Sequence, residues 1–170
     1  MIMAQDEGRF GRINIPRKCW APPGIRPIVP CQTIREYIYA YSAVCPATGD
    51  ITSLILPNAN TECMNIFLEH VSQEYFDHFI IMQADKAGWH KSKGLKVPEN
   101  IRIIFQPAYS PQLNPTEHVW DEIREKEMQN TAFRTIKDVI NALCKGLNDL
   151  KANIKKVKSM TNFPHFNITF

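Results

Sequence analysis

Apolar and polar positions alternate most cleanly between Arg35 and Val44, where Tyr37, Tyr39, Tyr41 and Ala43 fall on one face and Ile38, Ala40 and Val44 on the other. A period of two marks a strand with two distinct faces. Pro46-Ala-Thr-Gly49-Asp50 supplies a hairpin turn, and Ile51 to Leu56 follows as the partner strand. The period then changes. From about Thr61 to Phe76, the residues Met64, Phe67, Leu68 and Val71 recur at helical spacing, predicting a helix with Asn60 or Thr61 as its N-cap. Two short apolar runs, Phe79-Ile-Ile-Met82 and Ile101-Arg-Ile-Ile-Phe105, predict buried strands, with a short helix from Trp89 to Lys96 between them. Upstream of the hairpin, Ile2 to Asp6 predicts a short first strand and Gly11 to Trp20 a further extended piece. Ala21-Pro-Pro-Gly24 reads as a turn, and Pro27 and Pro30 keep Arg26 to Pro30 extended.

After the last of these strands, Gln106 to Leu113 is a proline-punctuated loop. A helix begins at Asn114-Pro115, with asparagine at the N-cap and proline at the first helical position, where its missing N–H costs nothing. Phe133, Ile136, Ile140, Leu143, Leu147, Leu150, Ile154 and Val157 then form one sustained apolar stripe, predicting a last helix from roughly Phe133 into the 150s. The tail from Asn162 to Phe170 has no assignable structure. Hairpin strands first and helix-linked strands afterwards predict one α/β domain, a mixed central sheet flanked by helices.

Composition narrows the class without naming a function. The chain has 170 residues, 44% of them hydrophobic and 22% charged, enough apolar content for a packed core and too much for a disordered chain. No apolar run is long enough to span a bilayer, and the opening Met1-Ile-Met-Ala-Gln-Asp6 lacks the basic start of a signal peptide, so no membrane partner is expected. Five widely spread cysteines, Cys19, Cys31, Cys45, Cys63 and Cys144, contain no Cys-x-x-Cys pair. They argue against a disulfide framework or a zinc site and fit a reducing cytoplasm. The net charge is only +3, but Arg134 to Lys158 holds seven basic residues against two acidic ones. Such an end suits DNA phosphates, or simply a solvated helix face.

Three carboxylates occupy telling places. Asp6 ends the predicted first strand, Asp85 follows the central buried strand, and Glu117 lies in the first turn of the helix after the proline-rich loop. Sites in open α/β sheets form at the carboxyl ends of strands. If the strands carrying Asp6 and Asp85 are neighbours, the two carboxylates lie side by side, and a hard cation such as Mg²⁺ or Mn²⁺ relieves their repulsion. Two such ions support phosphodiester chemistry without any protein nucleophile. Each residue also has an ordinary reading: Asp6 as a turn residue, Asp85 as a cap, and Glu117 as a favourable charge at a helix N-terminus. Glu7 competes with Asp6, but strand alternation puts the two on opposite faces.

The motifs around these residues are specific. Tyr109-Ser-Pro-Gln-Leu-Asn-Pro-Thr-Glu117-His-Val-Trp120 closely resembles the third-carboxylate motif of the Tc/mariner superfamily of transposases, in particular its bacterial insertion-sequence branch. Gln5-Asp6-Glu7-Gly-Arg-Phe10-Gly resembles the first motif of that superfamily, Asp85-Lys-Ala-Gly-Trp-His90-Lys-Ser the second, and Trp20-Ala-Pro-Pro-Gly24 the segment between them. The similarity spans about residues 4 to 130, and 31 residues separate Asp85 from Glu117. The resemblance implies an RNase H-like fold and a DDE-type endonuclease with Asp6, Asp85 and Glu117 as catalytic, metal-binding triad. It implies Mg²⁺ or Mn²⁺, two ions, nicking of double-stranded DNA at transposon ends, strand transfer into TA target sites, a homodimer in the active complex, and a cytoplasmic, nucleoid-associated place of action.

Some features depart from that pattern. Lys86 stands where relatives often carry Asn or Gly; beside a metal site it either meets a phosphate or weakens ion binding. Ala108 and Gln112 replace a more usual proline and acidic residue. The helix-turn-helix region that reads transposon ends in relatives has no counterpart here. End recognition is therefore expected to be absent or supplied by a separate recognition subunit, and an inactive or split-element remnant that binds DNA or another transposase chain is the competing reading. Arg9, Arg12, Lys86, His90, Lys91, Lys93 and His118 flank the motifs and are the candidates for DNA backbone contacts. Trp89 reads as either core or DNA channel, and Trp120 as core.

Overall fold

The computed structural model describes residues 1–14, 16–108 and 110–166; Tyr109 of the proline-rich loop and residues 167–170 of the tail lie outside the described residues. Its centre is one sheet built from β1 (Ile2–Gly11), β2 (Tyr37–Cys45), β3 (Asp50–Leu56), β4 (Ile80–Ala84) and β5 (Ile101–Phe105), in the spatial order β3-β2-β1-β4-β5. β1, β2 and β3 form an antiparallel meander, whereas β4 and β5 run parallel to β1. This mixed order is the one expected of an RNase H-like domain.

Side-chain alternation on the central strands builds two cores. Met3, Tyr41, Ala43, Ile80 and Met82 face α1 (Thr61–Glu74), which presents the fully buried Met64, Phe67, Leu68 and Val71. Ala4, Phe10, Ala40 and Val44 face the other way, onto α2 (Thr116–Ile123), α3 (Ile136–Lys151) and α4 (Ile154–Thr161). Asn60 caps α1 by accepting from the Cys63 N–H at 2.9 Å. Thr135 and Asp138 close a capping box at the start of α3. Gly49 takes the hairpin turn at a positive φ of 86° and lies against the backbone of Ile154, so the turn packs directly on the start of α4.

Three expectations change. The first strand does not stop at Asp6: residues Glu7 to Gly11 continue the antiparallel ladder opposite Tyr41 to Tyr37. Gly11 thus ends β1 rather than opening a new extended piece. The single long last helix is two helices. The chain breaks after Lys151, and Asn153 caps α4 by accepting from the Lys156 N–H at 3.1 Å. An unbroken apolar spacing hid this because Val157 remains buried after the break, while Ile154 is turned out to half exposure. The predicted helix at Trp89 is a single 3₁₀ turn, Gly88–Lys91.

Three of the seven basic residues between Arg134 and Lys158 are taken up by ion pairs. Lys145 meets Glu127 at 2.7 Å, Lys151 meets Glu74 at 2.7 Å and Lys156 meets Glu122 at 2.6 Å. All five cysteines are free thiols. No helix among the described residues is long and apolar enough to cross a membrane.

Candidate active site

The site opens where β1 outruns its parallel neighbour. Pairing between β1 and β4 ends at Ala4 opposite Gln83. Carried two residues further, the same register sets Asp6 level with Asp85, just beyond the last residue of β4. β5 also ends there, and the proline-rich loop leads from it to α2. Asp6, Asp85 and Glu117 all line one cleft of about 400 Å³, together with Lys86, Gln106, Ser110 and Asn114.

Asn114 fixes the third wall. Its side chain donates to the Gln5 carbonyl at 3.1 Å and accepts from the Thr116 N–H at 3.1 Å, and its carbonyl accepts from the Glu117 N–H at 3.2 Å. Thr116 adds a hydrogen bond from its hydroxyl to the Ala4 carbonyl at 2.9 Å. α2 begins at Thr116, one residue later than expected, with Pro115 in the cap position, and Asn114 just before it stitches the helix end to β1 one residue before Asp6. The same stitch aims the positive end of α2 into a cleft lined by carboxylates.

Asp6 is the electrostatically burdened member. Burial and the nearby Glu117 carboxylate push its pKa up from 3.8 to about 7, although the Trp120 indole donates to Asp6 Oδ2 at 2.8 Å. Trp120, read from sequence as core, is indeed 1% exposed, and it is also the donor that holds this carboxylate. Asp85 behaves oppositely. Its contact with His90, 2.8 Å from Oδ1, together with the Ala87 N–H at 2.9 Å, holds its carboxyl below the usual range against partial burial. Such divergence between neighbouring acids is typical of functional sites.

Glu7 points to the opposite face, as alternation requires. Its Oε1 accepts from the Gln5 side-chain amide at 2.8 Å and the Trp89 indole at 3.4 Å, and lies 2.9 Å from His90 Nε2. Burial opposes a charge on His90, but Asp85 and Glu7 outweigh it and hold the imidazole pKa up to about 10. This Glu7–His90–Asp85 line was not foreseen. The only signal in the sequence was that Glu7 adjoins Asp6 and His90 lies five residues after Asp85.

The expected DNA contacts divide. Lys86 is exposed at the cleft; Arg9, Lys91 and Lys93 are exposed but do not line it, with Arg9 over the Tyr37 ring and Lys91 over Phe105. His118 is exposed, with Nδ1 2.7 Å from the Met160 carbonyl. Two residues are corrected. His90 is 2% exposed and faces inward, so it offers no surface to a phosphate. Arg12 is taken up by Glu36 at 2.7 Å and by the Phe133 carbonyl at 3.3 Å.

The donor chemistry fits a hard divalent cation, because three carboxylates line the cleft and one of them is raised by burial and its neighbour, with Lys86 as the opposing charge. As they stand, the three carboxylates line the cleft without converging on a common point: among the described residues, no three His, Cys, Asp or Glu side chains are grouped closely enough to hold a metal.

Residues 1–140 match the family of DDE superfamily endonucleases. The chain belongs to that family. A protein of Sinorhizobium fredii (strain NBRC 101917 / NGR234), "Uncharacterized protein y4pE/y4sA", is 36% identical over 126 residues, covering 73% of this chain and 93% of its own. Among solved structures, the Mos1 mariner paired end complex with Mn superposes with a TM-score of 0.65 at 17% identity, covering 99% of this chain and 56% of that one. A pre-cleavage Mos1 transpososome gives 0.65 at 15% identity, covering 99% and 56%. The DDE endonuclease thus has the RNase H-like fold of a mariner transposase catalytic domain, and spans little more than half the length of those transposase chains.

Proposed function

We propose that this DDE endonuclease is the catalytic domain of a DNA transposase, with Asp6, Asp85 and Glu117 as its metal-binding triad. The observation that carries this is the cleft itself: three acids from β1, the end of β4 and the start of α2 line one opening, while Glu7 faces away. Mg²⁺ or Mn²⁺, as a pair of ions, would supply Lewis-acid activation of the attacking oxygen and stabilisation of the leaving one.

The residues of the chain have separate tasks. Trp120 holds Asp6 by one oxygen, His90 and the Ala87 N–H hold Asp85 by Oδ1, and Asn114 sets Glu117 at the mouth of α2. Lys86, Arg9, Lys91 and Lys93 position the duplex through its phosphates. The reaction in this reading is hydrolytic nicking at transposon ends followed by strand transfer into TA sites, in the cytoplasm at the nucleoid. A homodimer brings the two ends together. The arm between β1 and β2 supports this, since Trp20, Ile25 and Ile28 project from it at 103%, 61% and 95% exposure.

Lys86 favours a second reading, a remnant that binds DNA or a transposase partner without cutting, because a cation at the cleft opposes metal entry. Nicking of a terminal-repeat duplex across a Mg²⁺ and Mn²⁺ titration separates the two. Metal-dependent nicking by the wild type, abolished in Asp85→Asn, is the expected result; equal nicking by both proteins overturns the catalytic reading.

A further inference from the structure

We infer that His90 and Glu7 form a buried positioning device that sets the carboxylate of Asp85 for metal binding from the face of the sheet opposite the cleft. The inference rests on Asp85 being a ligand, as proposed above.

Asp85 lies one residue past the end of β4, so the sheet's hydrogen bonds do not fix its side chain. It is 44% exposed and borders an open cleft. A carboxylate in that situation samples several rotamers unless something holds it. The 3₁₀ turn Gly88–Lys91 brings His90 back beneath it. Nδ1 of His90 stands 2.8 Å from Asp85 Oδ1 and 3.1 Å from the Asp85 carbonyl, so one ring nitrogen addresses both the side chain and the backbone of the same residue. The Ala87 N–H also falls on Oδ1, at 2.9 Å. Both contacts engage the same oxygen. Oδ2 has no hydrogen-bond partner among the described residues and is left for the cleft.

His90 needs its own anchor, and Glu7 is that anchor. Nε2 lies 2.9 Å from Glu7 Oε1, and the two side chains are 1% and 5% exposed. Glu7 is held in turn by the Gln5 amide and the Trp89 indole, and it sits on β1, the central strand of the sheet, paired there with Tyr41 of β2. The line Glu7–His90–Asp85 therefore references a carboxylate on a loop to the strand that carries Asp6. Outer partners of this kind orient metal ligands, and their removal typically weakens binding about 10- to 100-fold.

The test is Mn²⁺ affinity of the full chain by calorimetry, with the metal-free unfolding midpoint measured alongside. His90→Ala and Glu7→Ala are expected to bind Mn²⁺ about 10- to 100-fold more weakly. Glu7→Gln, which keeps a group able to hydrogen-bond Nε2, is expected to restore most of the affinity. In an Asp85→Asn background, adding His90→Ala should change affinity no further, because its effect passes through Asp85. A merely structural role would lower the unfolding midpoint and leave the affinity of the folded protein alone. If Asp85→Asn weakens binding but both folded alanine variants bind Mn²⁺ like the wild type, the positioning device is overturned. If Asp85→Asn itself binds like the wild type, the triad reading falls and takes this inference with it. Should His90→Ala fail to fold, Glu7→Ala against Glu7→Gln decides the matter alone.

Discussion

Asp6→Asn should make the metal-free protein more stable at pH 8 while removing its capacity to act. The substitution keeps an oxygen to accept from the Trp120 indole and removes the charge that burial and Glu117 oppose. A carboxyl with a pKa of 3.8 in the open chain and about 7 in the fold carries, when ionised, a cost of about 4 kcal/mol, at about 1.36 kcal/mol per tenfold change in proton affinity. Residual solvent access and the amide group's need for a partner reduce the expected gain to about 2–4 kcal/mol. The sign follows from proton uptake. Between pH 3.8 and about 7 the folded state holds the Asp6 proton more tightly than the unfolded state, so wild-type stability falls as pH rises through that window. The advantage of Asp6→Asn should thus be small near pH 4, grow to about pH 7 and then level off. Urea unfolding at a series of pH values in the presence of a chelator measures it. Saturating Mn²⁺ should then stabilise the wild type by about 2.7 kcal/mol at one hundred times its dissociation constant, and the variant by clearly less. A variant less stable than the wild type at pH 8, or a difference that is flat from pH 5 to 8, would refute the reasoning.

Three further substitutions probe the surroundings. Trp120→Phe deletes the indole donor to Asp6 and should cost about 1.5–3 kcal/mol at pH 8, with the Asp6 carboxyl titrating still higher by carbon-detected NMR; an unmoved Asp6 would show that the indole does not hold it. Gly8→Ala places a methyl 2.6 Å from Phe10 Cε2 and 2.9 Å from Trp120 Cδ2, so it should destabilise the fold by about 1–3 kcal/mol and disturb the Trp120–Asp6 contact, read by unfolding and by the indole N–H resonance. Lys86→Asn should tighten Mn²⁺ binding by removing a cation from the cleft, yet weaken duplex binding and reduce its salt dependence by about one released counterion; a salt slope equal to that of the wild type would remove Lys86 from the DNA surface.

The strand and helix pattern carried most of the fold because period two and period 3.6 are local properties. The faces of β2 and the buried side of α1 emerged as predicted, and α2 starts one residue after the expected Pro115, with Asn114 accepting from the Thr116 N–H. What local pattern missed was interruption without a change of period. Lys151 to Ile154 keeps the apolar spacing across a helix break at which Asn153 caps α4 and the hairpin turn packs on Ile154. It also placed Asp6 at a strand end, since nothing near Glu7 announces that β2 extends the ladder to Gly11.

The adjacent acids Asp6 and Glu7 show where sequence reasoning gains and loses its hold. Alternation alone separates them onto two faces, and the structure agrees: one lines the cleft, the other is buried against His90. Alternation says nothing about what waits on the second face. A glutamate buried there must be matched by donors, because an uncompensated interior charge is too costly to keep. One donor, Gln5, is two positions away, but the others, Trp89 and His90, are more than 80 positions away in the chain. Proximity to a motif thus reads His90 as a DNA contact, whereas the demand of Glu7 for a partner draws it inward. An acid that loses the contest for the cleft is thus better treated as a question about its partner than as a discarded candidate, and here that question leads back to Asp85.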